Sequence, residues 1–192
     1  TKSSPVGLIA RPFNPVSVAL GAEATFVART HDMDRGHMQE TFRRAHEHPG
    51  AAFVEVLQNC NVFNDGAFAA ITKRDAREEM LIDLRHGEPI LFGSDHQYGV
   101  IGLDGAVAIA EVAEVGLEAV LIHDETRSDP SRAFALSRLA ETPTTPTPIG
   151  VFRAVEHEEY GTGIRGQVDD VQSHEGLGDL DELLHSLPTW EV

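Results

Sequence analysis

Cys60 is the only cysteine among 192 residues, and it stands in the stretch Gln58-Asn59-Cys60-Asn61-Val62-Phe63-Asn64. A thiol there can act as a soft metal ligand, as a nucleophile paired with a histidine, or as an inert core group. No particular histidine is placed beside it, which ranks the nucleophile last. On residue type alone, a lone cysteine behind an apolar strand reads first as a buried thiol. A second ligand-type stretch is His31-Asp32-Met33-Asp34-Arg35-Gly36-His37, with His46 and His48 beyond it. Its residues suit zinc or iron, but their spacing matches no familiar motif, and His37, Glu40, Arg44 and Glu47 are expected on the wet face of a helix. Glu158-Glu159 and Asp169-Asp170 carry acid and base groups, yet adjacent residues do not face each other on a helix or a strand, so they read as surface. Asn64-Asp65-Gly66 is a turn signal, because these residues tolerate left-handed backbone.

The elements that must position these groups follow from caps and periodicity. Asn14-Pro15 starts a helix that runs to Ala22. Thr25 to Ala28 reads as a short buried strand, and Arg35 to His46 as a helix with Met38, Phe42 and Ala45 on its apolar face. Pro49-Gly50 ends it, and the apolar run Ala52 to Leu57 is expected to be a strand covered on both faces. This alternation predicts an α/β layer with a parallel sheet, whose ligands gather beyond the carboxyl ends of the strands, where Cys60 falls.

From Gly66 to Arg85 the pattern is mostly helical, with Arg74-Asp75-Ala76-Arg77-Glu78-Glu79 solvated. Pro89 to Phe92, Tyr98 to Leu103, Val107 to Val112 and Leu117 to His123 are β-like, and Asp129-Pro130 begins a helix to about Leu139. The Pro- and Thr-rich stretch from Thr142 to Pro148 is an extended connector leading to a strand over Ile149 to Val155. Beyond Glu156 the chain is acidic, and only Leu180, Leu183, Leu184 and Leu187 are spaced for a helical face, which suits a tail docking on the body or on a partner subunit. No internal repeat is present.

Composition narrows the function classes. A formal charge of −16 argues against a nucleic-acid partner. The charge is uneven, with 10 basic and 13 acidic residues over 1–96 against 5 and 18 over 97–192. No apolar run approaches the roughly 20 residues of a membrane span, so no membrane partner is expected. One cysteine excludes an internal disulfide and favours a reducing, cytoplasmic setting. Thr1-Lys2-Ser3-Ser4-Pro5 shows neither an initiating Met nor a signal peptide, and the expectation is a truncated chain.

Three stretches taken together resemble one family: Pro12-Phe13-Asn14-Pro15 with Ala19 to Arg29, Ala51 to Val56, and Cys60-Asn61-Val62-Phe63-Asn64-Asp65-Gly66. The family is the β subunit of 2-oxoacid:ferredoxin oxidoreductases, and the resemblance is greatest to the actinobacterial 2-oxoglutarate form. It runs from about Lys2 to Val155 and implies the C-terminal half of that subunit. The fold it implies is α/β, the C-terminal part of a thiamine-diphosphate-binding parallel-sheet domain plus a β-rich C-terminal extension. Three segments are then expected: 1–85, the end of the thiamine-diphosphate domain with a cluster-ligand loop; 86–155, a β-rich subdomain; and 156–192, an acidic tail.

The resemblance further implies that Cys60 is the last of four cysteine ligands of a 4Fe-4S cluster, a role that soft thiolate sulfur suits. Asn59, Asn61 and Asn64 are expected to donate hydrogen bonds near the cluster sulfurs. Thiamine diphosphate and magnesium are the other cofactors implied. Their Gly-Asp-Gly motif is absent, since Asp65-Gly66 and Asp104-Gly105 lack the preceding Gly, and so are the other three cysteines. The fragment alone is therefore expected to bind no cofactor and to be inactive. The implied partners are the α subunit, ferredoxin, a 2-oxoacid and coenzyme A, with oxidative decarboxylation of 2-oxoglutarate to succinyl-CoA as the reaction. Pyruvate or a branched-chain 2-oxoacid is the alternative substrate. Ferredoxin, itself usually acidic, is expected to dock away from the acidic tail. A non-catalytic α/β interaction module with a buried Cys60 is the reading from another class.

Overall fold

The structure is a computed structural model that describes residues 6, 7, 9, 13–139 and 145–187. Pro12 and the 142–144 part of the expected connector lie outside the described residues, as do the side chains of Arg74 and Asp75. The chain divides into two compact units between His157 and Glu158.

In the first unit, α1 (Pro15–Gly21) begins as expected. The Asn14 side chain accepts from the Ser17 N–H at 3.0 Å, and its amide donates to the Ser137 carbonyl at 2.9 Å. The same residue thus caps α1 and ties it to α6 (Ser131–Ser137), a contact completed by the Ser17 and Ser137 hydroxyls 2.7 Å apart. Strand β1 (Phe26–His31) is buried along its whole length and runs three residues beyond the expected strand. Polar Arg29, Thr30 and His31 hid that extension from a reading by hydropathy.

Helix α2 (Arg35–Glu47) is present, but its inner face differs from the expectation. Thr41 is its buried residue, while Phe42 is 46% exposed. His37 and Arg44, expected on the wet face, turn inward: the Thr30 hydroxyl lies 2.8 Å from His37 Nδ1, and Arg44 donates to Glu125 at 2.6 Å. Partners on β1 and in the loop at Glu125 reward these polar groups for facing the body.

Strand β2 (Ala52–Leu57) is the edge of its sheet and only half-buried, so it is not covered on both faces. Past the Cys60 loop come α3 (Ala69–Thr72), α4 (Arg74–Met80) and β3 (Leu81–Leu84). Leu81–Leu84 was expected within a helical stretch; parallel pairing with β7 (Thr147–Ala154) makes it a buried strand instead. In α4, Glu79 is not free in solvent, because it accepts from Ser94 and Gln97. The first sheet has the order β2-β1-β7-β3. Its outer pairs are parallel, but β1 and β7 run antiparallel, so the sheet is mixed where a purely parallel one was expected.

Strand β7 enters from the far end of the unit and shifts register against β1 between Val27 and Ala28. Beyond that shift, where β7 pairs with Arg29 and Leu84, Gly150 is required: its φ is +101°, and a Cβ would lie 2.8 Å from the Leu84 carbonyl oxygen. β7 also begins two residues earlier than expected, taking in Thr147 and Pro148.

A second, antiparallel sheet of β4 (Leu91–Phe92), β5 (Tyr98–Leu103) and β6 (Ala106–Glu111) follows the expected positions closely. Asp104-Gly105, both at positive φ, form the two-residue turn between β5 and β6, as that dipeptide favours. The fourth expected strand is different: α5 (Val112–Val115) leads to a 3-10 turn at Leu117–Ala119, and only Val120 and Ile122 make single bridges. Val16, Leu20, Val27, Ile82, Val100, Leu136 and Phe152 form one core, so both sheets and α1 and α6 pack on shared ground.

The second unit holds α7 (Tyr160–Glu175) and α8 (Leu180–His185). Helix α7 was not expected. Gly161, Gly163 and Gly166 disguise it, yet Glu159 caps it by accepting from the Gly161 and Thr162 N–H groups, each at 2.8 Å. Tyr160, Ile164, Val168 and Val171 share one side of it at helical spacing, and all four are exposed. Among the described residues, no helix is long and apolar enough to cross a membrane.

Candidate functional site

Two parallel strands carry the loop of interest. β1 and β2 pair in register from Phe26↔Ala52 to His31↔Leu57, and the Asp32 N–H continues the ladder to the Leu57 carbonyl. Their carboxyl ends therefore emerge together, with Asp32 and Met33 on one and Gln58, Asn59 and Cys60 on the other. The Asp32 carboxylate accepts from the Asn59 N–H at 3.3 Å, joining the two exits.

The loop closes on itself. Asn64 N–H donates to the Cys60 carbonyl at 2.8 Å. The Asn59 side chain then clamps the far side, donating to Asp65 at 3.0 Å and accepting from the Gly66 N–H at 2.8 Å. Gly66 takes a φ of +76°, which lets the chain reverse into α3. Asn59 was expected to donate toward sulfur; instead its amide is spent on the loop. Backbone N–H groups surround the thiol in its place. Those of Phe63 and Val62, with Asn64 behind them, hold the Cys60 thiol below its ordinary pKa, outweighing the opposing effects of burial and of Asp65. Cys60 is half-buried and free, while the neighbouring Val62 and Phe63 side chains stand exposed. These amides escape a reading of side-chain types; only the close turn signalled by Asn64-Asp65-Gly66 hinted at them.

A cleft of about 630 Å³ lies beside this loop, lined by Asp32, Met33, Asn59, Gly66, Phe68 and Arg77 among others. Next to it the histidine-rich stretch separates rather than converges. Asp34 caps α2 by accepting from the His37 N–H at 3.0 Å, and Arg77 lies 3.8 Å from the same carboxylate. His31 is buried, and its Nδ1 has no hydrogen-bond partner. Burial first, and then the Arg77 guanidinium, push its pKa down, so the ring is neutral at ordinary pH. His48 faces Thr25 at 2.9 Å and packs on Phe26. Among the described residues, no three His, Cys, Asp or Glu side chains come together to hold a metal. Cys60 is thus a lone, partly exposed thiol with its pKa lowered, at the end of the sheet where α/β folds gather their ligands.

Comparison with known proteins gives this geometry a context. The chain is 45% identical over 194 aligned residues to the 2-oxoglutarate oxidoreductase subunit KorB of Mycobacterium tuberculosis, a match covering 100% of this chain and 52% of that protein. A 2-oxoacid:ferredoxin oxidoreductase subunit beta of Saccharolobus solfataricus is 40% identical over 65 residues, 34% of this chain and 21% of its own length. Among solved structures, the 2-oxoglutarate:ferredoxin oxidoreductase from Magnetococcus marinus, with 2-oxoglutarate, coenzyme A and succinyl-CoA bound, superposes with a TM-score of 0.59. That superposition covers 97% of this chain and 48% of the other at 19% identity, a likeness of fold. No family model matches the chain. The chain spans about half the length of the relative that it matches from end to end. Over its whole length, this chain is a homologue of part of a 2-oxoglutarate oxidoreductase β subunit.

Proposed function

We propose that this chain is the C-terminal half of the β subunit of a 2-oxoglutarate:ferredoxin oxidoreductase, and that Cys60 supplies one of four thiolates to a 4Fe-4S cluster in it. The whole-length likeness to the KorB subunit carries the reading. The site fits its part: the donor is a Cys sulfur, the kind that holds such clusters, and it is half-buried on a loop rather than sealed in the core. The N–H groups of Val62, Phe63 and Asn64 offset negative charge on that sulfur, which is how a protein tunes a cluster through its ligands. Asn59 holds the loop in shape, and Asp32 anchors Asn59 to the end of β1. When bound, a cluster of this kind takes up and passes on single electrons.

The residues present do not fit a site for thiamine diphosphate and magnesium. Asp65 is committed to Asn59 in the loop, and Asp104-Gly105 forms a hairpin turn, so neither pair is a diphosphate motif. We assign those cofactors, and three of the cluster ligands, to residues of the whole protein that this chain does not contain. There the reaction is oxidative decarboxylation of 2-oxoglutarate with coenzyme A to succinyl-CoA, with electrons passed to ferredoxin, carried out with an α subunit in the cytoplasm. The shorter match to a 2-oxoacid:ferredoxin oxidoreductase favours a broader 2-oxoacid range as the second reading. Comparing kcat/KM for 2-oxoglutarate and pyruvate separates the two.

The test of the central assignment is Cys60→Ala in the full complex, with iron content and the paramagnetic signal of the reduced cluster measured beside 2-oxoglutarate-dependent electron transfer. The expected outcome is loss of the cluster iron, the signal and the electron transfer together. A fully loaded, reducible cluster in that variant would sink it.

A further inference from the structure

We infer that Asp65 tunes the reducing power of the proposed cluster: its carboxylate, held at the Cys60 turn by the Asn59 side chain, lowers the reduction potential. The inference rests on the reading of Cys60 as a cluster ligand. The loop keeps this charge close to the cysteine. The Asn64 N–H donates to the Cys60 carbonyl at 2.8 Å, and the same two residues form an antiparallel bridge, which draws the chain at residue 65 back toward Cys60. Asn59 spans the closure, donating from its amide to Asp65 at 3.0 Å while accepting from the Gly66 N–H at 2.8 Å. Asp65 is thus fixed from the residue that precedes the cysteine.

Charge decides what the carboxylate does there. Its Asn59 partner is a neutral amide, so the bond orients the carboxylate without cancelling its charge. That charge reaches the sulfur: in the free thiol, Asp65 opposes the thiolate through space, against the N–H groups of Phe63 and Val62 that favour it. One-electron reduction of a cluster adds a negative charge at the same place, and net charge is among the properties that set its potential. The loop therefore carries two opposed controls. The N–H groups favour the reduced state and raise the potential, while the carboxylate disfavours it and lowers the potential. Asp65 makes no bond to the cluster and exchanges no electron. Each electron released in the oxidation of 2-oxoglutarate enters the cluster and leaves it for ferredoxin, and the carboxylate makes that second transfer more favourable.

The test is a redox titration of the full complex, followed by the paramagnetic signal that Cys60→Ala abolishes. Asp65→Asn keeps an oxygen acceptor for Asn59 and removes the charge. It is expected to shift the reduction equilibrium toward the reduced state about three- to tenfold, tenfold being about 59 mV for one electron. Asp65→Glu keeps the charge but not the length, and its potential should stay close to that of the wild type. A purely structural role gives the reverse order, Glu disturbed and Asn silent, and overturns the inference. Asn61→Asp adds a carboxylate next to Cys60 and is expected to lower the potential; it decides the matter alone if Asp65→Asn loads no iron. Unchanged potentials in these two variants overturn the inference and leave the proposed function standing. A signal that persists in Cys60→Ala overturns the cluster reading, and the inference with it.

Discussion

Glu55 and Cys60 are five residues apart, yet the sheet interior and the cysteine loop are held in opposite ways. In the interior, Arg29 is buried, donates to Glu55 at 2.6 Å and to the Pro148 carbonyl at 3.2 Å, and lies 5.5 Å from the centre of the Phe152 ring. One cation thereby links β2, β1 and β7 and helps fix their register. In the loop, the bonds that Asn59 makes to Asp65 and Gly66 are exposed to water, and Cys60 is only half-buried. The first arrangement resists change because unpairing strands a charge away from solvent. The second shapes the reactivity of one atom and contributes little to global stability. Stability and chemistry are thus separable here although the two regions share a strand.

The sharpest way to break this contrast is Glu55→Ala. It leaves Arg29 buried without its carboxylate and is expected to cost about 3 to 5 kcal/mol in a denaturant titration. Replacing both partners together, Arg29→Met with Glu55→Leu, should recover most of that loss. Equal losses in the single and double variants would show that packing around the pair, rather than its charge, sets the stability of the interior.

An intermediate effect is expected from acid. Burial is the main cause that lowers the pKa of His123, whose Nε2 lies 2.7 Å from the Val151 carbonyl oxygen, and burial likewise lowers that of His31. The unfolded chain binds protons at these rings that the folded chain refuses. Stability should therefore be level above the unfolded value of about 6.5 and fall as pH drops below it, by up to about 1.4 kcal/mol per pH unit for each ring. Urea midpoints between pH 7.5 and 5 check this, and His123→Gln should flatten the slope. An unchanged slope in that variant would remove His123 from the account.

The smallest effect on stability belongs to the loop. Asn59→Ala should shift global stability by no more than about 0.5 kcal/mol, as exposed substitutions generally do. It should still move the pH profile of Cys60 alkylation in the cluster-free chain toward higher pH. The loosened loop no longer aims its N–H groups at the thiolate, so the thiolate fraction near neutral pH falls. An unshifted profile with Asn59 replaced would mean that the Asn64 to Cys60 bond alone holds the loop.

Much of this was legible beforehand. The β1 and β2 region, the Cys60 exit and the β5–β6 hairpin follow from local apolar runs and turn residues, which act over a few positions. The inward turn of His37 and Arg44 was not legible, because their partners Thr30 and Glu125 lie on other elements. Helix α7 was legible in principle through Tyr160, Ile164, Val168 and Val171, but three glycines weighed against it.

The sequence by itself determined the local conformations, the acidic balance and the chemistry of a lone cysteine in a tight turn, because propensity, charge and residue type are properties of short stretches. Only the tertiary structure decided that β7 inserts antiparallel beside β1, that Leu81–Leu84 becomes a strand, that Arg29 is buried and that backbone amides bond the Cys60 thiol while the Asn59 side chain is spent on Asp65 and Gly66. Most of these depend on contacts spanning long stretches of chain, such as Asn14 with Ser137 and Arg29 with Pro148, whose cost in chain entropy is offset only when the whole core closes at once.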